Sequence, residues 1–304
     1  MPEPIPFAGN PLDRASNLRR DAAWVEAQLL ATTSRFLPLW RLEVLTREAE
    51  TPQLLWVDSG LRDRIAATEP PTLLGLAGGV AHFAVDLSDL TDPIGELGLD
   101  GARFSDVRGI APFLGNGDSG ILAQARAAVD WHRRHRFCGV CGAPTLPEKG
   151  GSSRRCSVCA AEHFPRTDPV VIMVVWSGDR CLLGKRPGRG TGMYSAFAGF
   201  IEQGETIEEA VRREVEEEVG MAVDEVVYHS SQPWPFPSSL MIGCFAHVAP
   251  GEIHLDAEEI EDARWLSRDE LRRYYADPSG SNIAIPGPIA IAHHIIRAWA
   301  EQEA

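Results

Sequence analysis

The sequence predicts an α+β chain. A mixed sheet between helices fills its C-terminal half, a small cysteine-rich ribbon precedes it, and a small α+β region comes first. Three observations lead there. After residue 168, β-rich runs alternate with amphipathic helical patterns. Between residues 134 and 167 stand two C-x-x-C pairs. Before residue 133 come short strand-like runs and one long Ala-rich helical pattern. The expected domains are 1–133, 134–167 and 168–304.

The totals bound the answer. A chain of 304 residues has room for two or three domains, and 44% hydrophobic with 24% charged residues is ordinary globular composition. No apolar run is long enough to span a bilayer, and no basic segment followed by an apolar one opens the chain, so the cytoplasm is the expected compartment. A net charge of −14 repels nucleic acids and phosphate esters in bulk. An anionic ligand therefore needs local attraction from metals or from placed Arg and Lys. Four of the six cysteines sit in the two pairs, which in an intracellular chain reads as metal binding. Cys181 and Cys244 lie in apolar strand-like runs and read as small buried hydrophobes.

In the first region, Asn10–Arg14 looks like a turn opening a helix. Phe36–Leu45, Leu54–Val57, Leu73–Ala77 and Val80–Leu87 are strand candidates. Leu90–Leu99 is acidic and rich in turn residues. Arg108 follows a short strand-like run; a solvated surface Arg is its plainest reading. Residues 121–135 carry Leu122, Ala125, Ala128 and Trp131 at helical spacing. That helix ends in His132, Arg133, Arg134, His135 and Arg136, which suit a helix C-terminus as well as they suit phosphate contact.

Cys138, Cys141, Cys156 and Cys159 form two knuckles. Four thiolates so paired give closed tetrahedral Zn²⁺ coordination, with Gly139 and Gly142 letting backbone amides turn toward sulfur. A closed site has no open position for chemistry, so its zinc is structural and supplies folding energy to a ribbon too small to bury a core. The loop Gly150–Arg155 is only mildly basic and has no interleaved aromatics, which favours a structural role over base readout.

In the last region, Val170–Trp176 and Arg180–Lys185 read as paired strands and Tyr194–Phe200 as a third. A helix follows, then strands near Glu225–His229, Met241–Val248 and Ala263–Leu266, and helices at Ser267–Tyr275 and Ile289–Ala300. The helix between Gly199 and Met221 carries the chemistry. Glu214 and Glu218 are one turn apart with Glu217 beside them, while Ile207, Val211 and Val215 form the packing face. Like charges so placed repel. The arrangement makes sense with a cation among the carboxylates, and hard oxygen ligands suit Mg²⁺ or Mn²⁺.

The same stretch fits the pattern G-x5-E-x7-R-E-U-x-E-E-x-G-U, where U is bulky and apolar, through Gly199, Glu205, Arg213, Glu214, Val215, Glu217, Glu218, Gly220 and Met221. By average composition, a chance match anywhere in the chain is below roughly one in a million. The stretch resembles the Nudix box, whose family hydrolyses nucleoside diphosphates linked to another group. The resemblance implies an α/β/α sandwich with the box as loop, helix and loop. It agrees with the chemistry of the residues, because hydrolysing a diphosphate needs charge neutralised and a water deprotonated. Gly199 allows a tight strand-to-loop turn that exposes the Ala198 carbonyl, Glu205 and Arg213 pair to fix the loop, and Glu218 is the candidate for activating water.

Ser231–Ser239 reads Ser-Gln-Pro-Trp-Pro-Phe-Pro-Ser-Ser. Three prolines flanking two aromatics make a rigid wall on which flat rings could stack, with Gln232, Ser238 and Ser239 offering hydrogen bonds; a core loop or dimer contact fits equally well. The segment and the order of parts resemble the NADH pyrophosphatases, the NudC-type Nudix hydrolases. That resemblance implies cleavage of NAD(H) to NMN(H) and AMP, removal of NAD caps from RNA 5′ ends, catalytic Mg²⁺ or Mn²⁺, one structural Zn²⁺ per chain and a homodimer. It implies catalytic-metal positions at Ala198, Glu214, Glu218 and Glu259, with Glu217 alongside. It places substrate contacts at Phe200, Gln232, Pro233, Trp234, Pro235, Phe236, Pro237, Ser238, Ser239, Arg108, Phe164 and Ala292. Two positions depart from the family pattern. Gly151 stands where a ribbon Glu is typical, and Phe164 replaces a Tyr. The competing functions are hydrolysis of another nucleoside diphosphate such as ADP-ribose, and a non-catalytic zinc-ribbon module for nucleic acid.

Overall fold

A computed structural model describes residues 5–47, 49–62, 69–115, 117–188 and 192–302. The chain forms two compact units. The first is Phe7–Thr167 with Trp234–Ser238; the second is Met1–Pro6 with Asp168–Pro233 and Ser239–Ala304. Among the described residues no helix is long and apolar enough to cross a membrane.

The first unit contains strands β1 (Arg35–Trp40), β2 (Glu43–Arg47), β3 (Gln53–Leu54), β4 (Thr72–Ala77), β5 (Val80–Asp86) and β6 (Ala102–Ser105). Its helices are α1 (Ala22–Leu30), α2 (Ser59–Arg62), α3 (Pro93–Leu97), α4 (Val107–Ile110) and α5 (Asp118–Arg134). The sheet order is β3-β2-β1-β5-β4, with β6 also on β2. Phe36, Leu45, Leu73, Phe83 and Val85 are buried in its core. The run Phe36–Leu45, expected as one strand, is two, because Arg41 and Leu42 turn the chain with φ of +52° and +68°. Neither residue carries the Gly or Asn signal that marks such a turn, so the sequence hides it. Asn10–Arg14 likewise leads not directly to a helix but to a single turn at Leu18–Arg20 before α1.

The ribbon, β7 (Thr145–Glu148), β8 (Ser153–Cys156) and β9 (Glu162–His163), is a three-stranded sheet within this unit. Arg154 fastens it there. This Arg is fully buried, contacts Glu69 through two nitrogens at 3.1 Å each, and donates to Thr145 Oγ1 and His132 Nδ1 at 2.8 and 2.9 Å. A buried guanidinium is tolerable only when so fully paired.

The second unit is an α/β/α sandwich. Its strands are β10 (Asp168–Ser177), β11 (Arg180–Lys185), β12 (Phe197–Phe200), β13 (Val223–Trp234), β14 (Ser239–Val248) and β15 (Asp262–Ser267). Its helices are α6 (Ile207–Val219), α7 (Arg268–Ala276) and α8 (Ile291–Glu301). The sheet order is β13-β14-β10-β11-β15, with β12 on β10 and β10 parallel to β14. Alternation along β10 sets the layers. Val171, Met173 and Val175 pack with Val211, Val215 and Val219 of α6, while Ile172 and Val174 pack with Leu271, Ile295 and Trp299 of α7 and α8. A strand covered on both faces reads as an unbroken apolar run, as Val170–Trp176 does. The third strand expected at Tyr194–Phe200 is shorter, Phe197–Phe200.

Candidate active site and zinc site

The carboxylate helix α6 is cut at both ends by its own sequence. Thr206 and Glu209 form a reciprocal capping box at the start, and Gly220, at φ +70°, closes the end. This fixes which turn carries each Glu. Glu218 is only 1% exposed and Glu214 is buried beside it, whereas the Glu217 side chain is 60% exposed.

Arg213 organises the outer carboxylates. It binds Glu205 through Nε and Nη2 at 2.6 and 2.9 Å, and through Nη1 it reaches Glu214 at 2.7 Å and Glu217 at 3.0 Å. Its Nη2 also donates to the Phe200 carbonyl at 2.9 Å. The expected Glu205–Arg213 pair is therefore present. The Arg213 hydrogen bonds, first of all, hold the Glu205 carboxyl down at about 2. The carboxylates do not converge by themselves. Among the described residues, the one group of three or more His, Cys, Asp or Glu with mutually close ligand atoms is the four cysteines. Guanidinium groups pair with these carboxylates.

The second of these is Arg186, immediately after β11. Its Nη2 donates to the Ala198 carbonyl at 2.6 Å and to Glu218 Oε1 at 3.1 Å. Its only signal in the sequence is a cationic Lys185-Arg186 pair ending an apolar strand. Among the described residues, Glu218 Oε2 is buried without a hydrogen-bond partner. Burial pushes the Glu218 carboxyl up to about 7, with Arg186 opposing and the Glu214 and Glu259 charges adding to the rise. Burial also raises Glu214, where Arg213 opposes and Glu217 and Glu259 again add. Glu259, in the exposed turn closed by its N–H to the Asp256 carbonyl at 3.1 Å, is thus electrostatically part of this group. The donor set fits a hard cation: the Ala198 carbonyl and Glu218 already meet on one positive charge, and a second Glu218 oxygen lacks a partner.

Gly199 has a different reason from the expected turn. It lies inside β12, opposite Val171. A Cβ there would sit 1.9 Å from Glu214 Cδ. Glycine lets the Glu214 carboxylate lie against its backbone. Phe200 ends the strand as a 60% exposed residue.

The Pro-aromatic segment divides. Gln232 is fully buried, and its amide is spent within the second unit. Nε2 donates to the Pro6 and Ile289 carbonyls at 3.0 and 2.8 Å, and Oε1 accepts from Ile291 N–H at 2.8 Å. It anchors the start of α8, next to buried Ala292. Pro233 is exposed and Ser239 opens β14. In the first unit, the half-buried Trp234 and Phe236 rings pack edge-on to Phe7 at 5.9 and 5.8 Å. Arg108 and Arg126 lie over Phe236 at 4.2 and 4.5 Å, and Arg126 donates to the carbonyl of buried Pro235. Asp106, Arg108, Arg126, Asp130, Arg134, Phe236 and Pro237 line a cavity of about 390 Å³. Arg108 is thus part of a cationic, aromatic-floored hollow. Ser238 lies between Pro237 and the start of β14.

The four cysteine sulfurs lie within 4.8 Å of one another. The Val140 and Val158 N–H groups donate to the Cys138 and Cys156 sulfurs at 3.3 and 3.4 Å. Of the two knuckle glycines only Gly142 takes a left-handed φ, +77°, so Gly139 is not needed for the turn. Gly151, at φ +85°, is packed so that a Cβ would lie 2.8 Å from Thr72 Cγ2 and 3.1 Å from His132 Nε2. No Glu fits there without displacing the buried joint. Phe164 is exposed, with Lys149 Nζ 6.0 Å from its ring.

Three family models match in order: an NADH pyrophosphatase-like rudimentary NUDIX domain over residues 33–131, an NADH pyrophosphatase zinc ribbon domain over 133–164 and a NUDIX domain over 166–284. An NAD-capped RNA hydrolase NudC of Mycobacterium bovis is 37% identical over 305 residues, covering 96% of this chain and 93% of that protein. The mitochondrial NAD(P)H pyrophosphatase NUDT13 of Mus musculus is 42% identical over 240 residues, covering 73% of this chain and 68% of that protein. The human NAD-capped RNA hydrolase NUDT12 is 46% identical over 192 residues, 60% of this chain; the chain spans only 42% of that relative's length.

Proposed function

Since the chain belongs to the Nudix family, in the branch that carries the NADH pyrophosphatase zinc ribbon, we propose that it hydrolyses the diphosphate of NAD(H) to NMN(H) and AMP and removes NAD caps from RNA 5′ ends. The observation that carries this reading is the meeting of the Ala198 carbonyl and the buried Glu218 on one cation position, with Glu214 beside it. In this reading Ala198, Glu214 and Glu218 hold Mg²⁺ or Mn²⁺, with Glu217 and Glu259 contributing negative charge around them. Such ions supply charge neutralisation for the diphosphate and acidify a water. Glu218, whose Oε2 has no hydrogen-bond partner among the described residues, is the group placed to accept a proton from water. Phe200 offers an exposed ring for a substrate base. The four cysteines hold one Zn²⁺ as a structural ion. A homodimer acting in the cytoplasm completes the proposal.

The test is product analysis with NADH, NAD⁺, ADP-ribose and NAD-capped RNA, each with Mg²⁺ or Mn²⁺. We expect NMN(H) and AMP from the dinucleotides and a 5′-monophosphate end on the RNA. Cleavage of ADP-ribose alone, or of nothing, refutes the assignment.

A further inference from the structure

We propose that Arg186 is a displaceable counter-ion of the active site. Its guanidinium holds the cation position between the Ala198 carbonyl and Glu218 until a divalent ion takes those oxygens, and it then contacts the substrate's diphosphate. This rests on the reading that Ala198 and Glu218 hold metal.

Two oxygens define the position, at 2.6 and 3.1 Å from one guanidinium nitrogen. An ion coordinated to both oxygens at roughly 2.1 Å would lie where Nη2 sits between them, so the two cations compete for that position. The two partners differ in what they can do when parted. The Glu218 side chain is 1% exposed, so when it is ionised it needs a cation beside it. The Arg186 side chain is 44% exposed, so its guanidinium can leave without being stripped of solvent.

It cannot go far. Arg186 follows directly on β11, where Lys185 is registered against Asp262 of β15 and pairs with Glu261 at 2.9 Å. The backbone is therefore anchored, and the displaced guanidinium stays beside the ions. A diphosphate bound to those ions needs further positive charge, and the nearest alternative is not free to give it. A guanidinium has five N–H donors, and Arg213 makes five hydrogen bonds, to Glu205 twice, Glu214, Glu217 and the Phe200 carbonyl. Arg186 alone of this pair changes partner without breaking the Glu205–Arg213 framework.

The experiment measures Mn²⁺ binding by electron paramagnetic resonance on the zinc-loaded full chain without substrate, then kcat and KM for NADH at saturating Mn²⁺. It compares wild type, Arg186→Met, Arg186→Lys and Glu218→Gln. If Arg186 fills the position in about nine molecules of ten, its removal tightens Mn²⁺ roughly tenfold, about 1.4 kcal/mol. We expect Arg186→Met to tighten Mn²⁺ to that extent and to raise KM for NADH several-fold, with Arg186→Lys intermediate in both. The two effects have opposite signs, which a merely structural residue would not produce. Thermal melting and zinc content check that the variants fold. Unchanged or weaker Mn²⁺ binding in Arg186→Met, while Glu218→Gln still abolishes it, overturns the counter-ion assignment alone. Tighter Mn²⁺ with unchanged KM overturns the diphosphate contact. Mn²⁺ binding indifferent to Glu218→Gln, or no turnover of NADH by wild type, overturns the reading of the site and this proposal with it.

Discussion

Glu218→Gln should stabilise the protein while it removes activity. The side chain is buried, one of its oxygens has no partner among the described residues, and burial moves its carboxyl from the ordinary 4.5 up to about 7. At about 1.4 kcal/mol per tenfold, ionising it in the folded chain costs on the order of 3 kcal/mol more than in the unfolded chain. The sign follows from the direction of the shift. A carboxyl whose folded value is raised contributes no penalty below 4.5, and stability is lost as the pH climbs through about 7. Gln mimics the protonated form and keeps an oxygen for Arg186. In buffer free of divalent ions at pH 8, the variant should therefore melt higher by roughly 2–4 °C for each kcal/mol recovered. At pH 4.5 the advantage should vanish. Adding Mn²⁺ at pH 8 should reverse the ranking, because only wild type gains binding energy. Scanning calorimetry at the two pH values, with and without Mn²⁺, measures all of this. A variant less stable than wild type at pH 8 without Mn²⁺, or one stabilised equally at both pH values, refutes the electrostatic account.

The other expectations are simpler. Gly199→Ala puts a Cβ 1.9 Å from Glu214 Cδ, so Glu214 must swing off Arg213; kcat should fall about a hundredfold with the circular dichroism spectrum intact, and near-normal turnover would contradict the crowding argument. Burial holds His132 down at about 4, with Arg154 adding to the effect. Stability is therefore present above the ordinary 6.5 and lost as the pH falls toward 4, by about 3 kcal/mol in all. The urea midpoint of wild type should drop between pH 7 and 5 more than that of His132→Gln, and parallel slopes would count against it. Stripping zinc from the four cysteines should erase amide protection across Phe137–Cys159 while β10 and β14 keep theirs; unchanged exchange in the ribbon would show that the metal carries no folding energy.

What the sequence made legible was local and periodic. The box helix, its caps and its apolar face follow from spacing, and the four cysteines announce themselves in pairs. The alternation along β10 likewise points to helices on both faces. What stayed hidden depends on contacts between distant segments. Gly199 reads as a turn until Glu214 is seen lying on its backbone. Gln232 sits in a run rich in hydrogen-bonding groups, and no pattern says that Pro6, Ile289 and Ile291 consume its amide. Arg186 looks like any strand-ending cation, because its partners are a carbonyl in β12 and a carboxylate in α6. Gly151 reads as a lost functional Glu; in the fold it is a point where Thr72 and His132 leave no space.

The two units do not correspond to two lengths of chain. Ile5 packs on the core of the second unit and Pro6 binds its Gln232, yet the first unit takes up the chain from Phe7. The first unit in turn claims Trp234–Ser238 from deep within the second. A ribosome making this protein from its N-terminus therefore cannot finish the first unit before residue 238 has emerged. Phe7 and Arg108 wait for their aromatic partners until most of the catalytic sheet has been synthesised. Folding that is usually sequential from domain to domain becomes interleaved here. A single cut between residues 167 and 168 would leave each fragment short of a piece that the other carries.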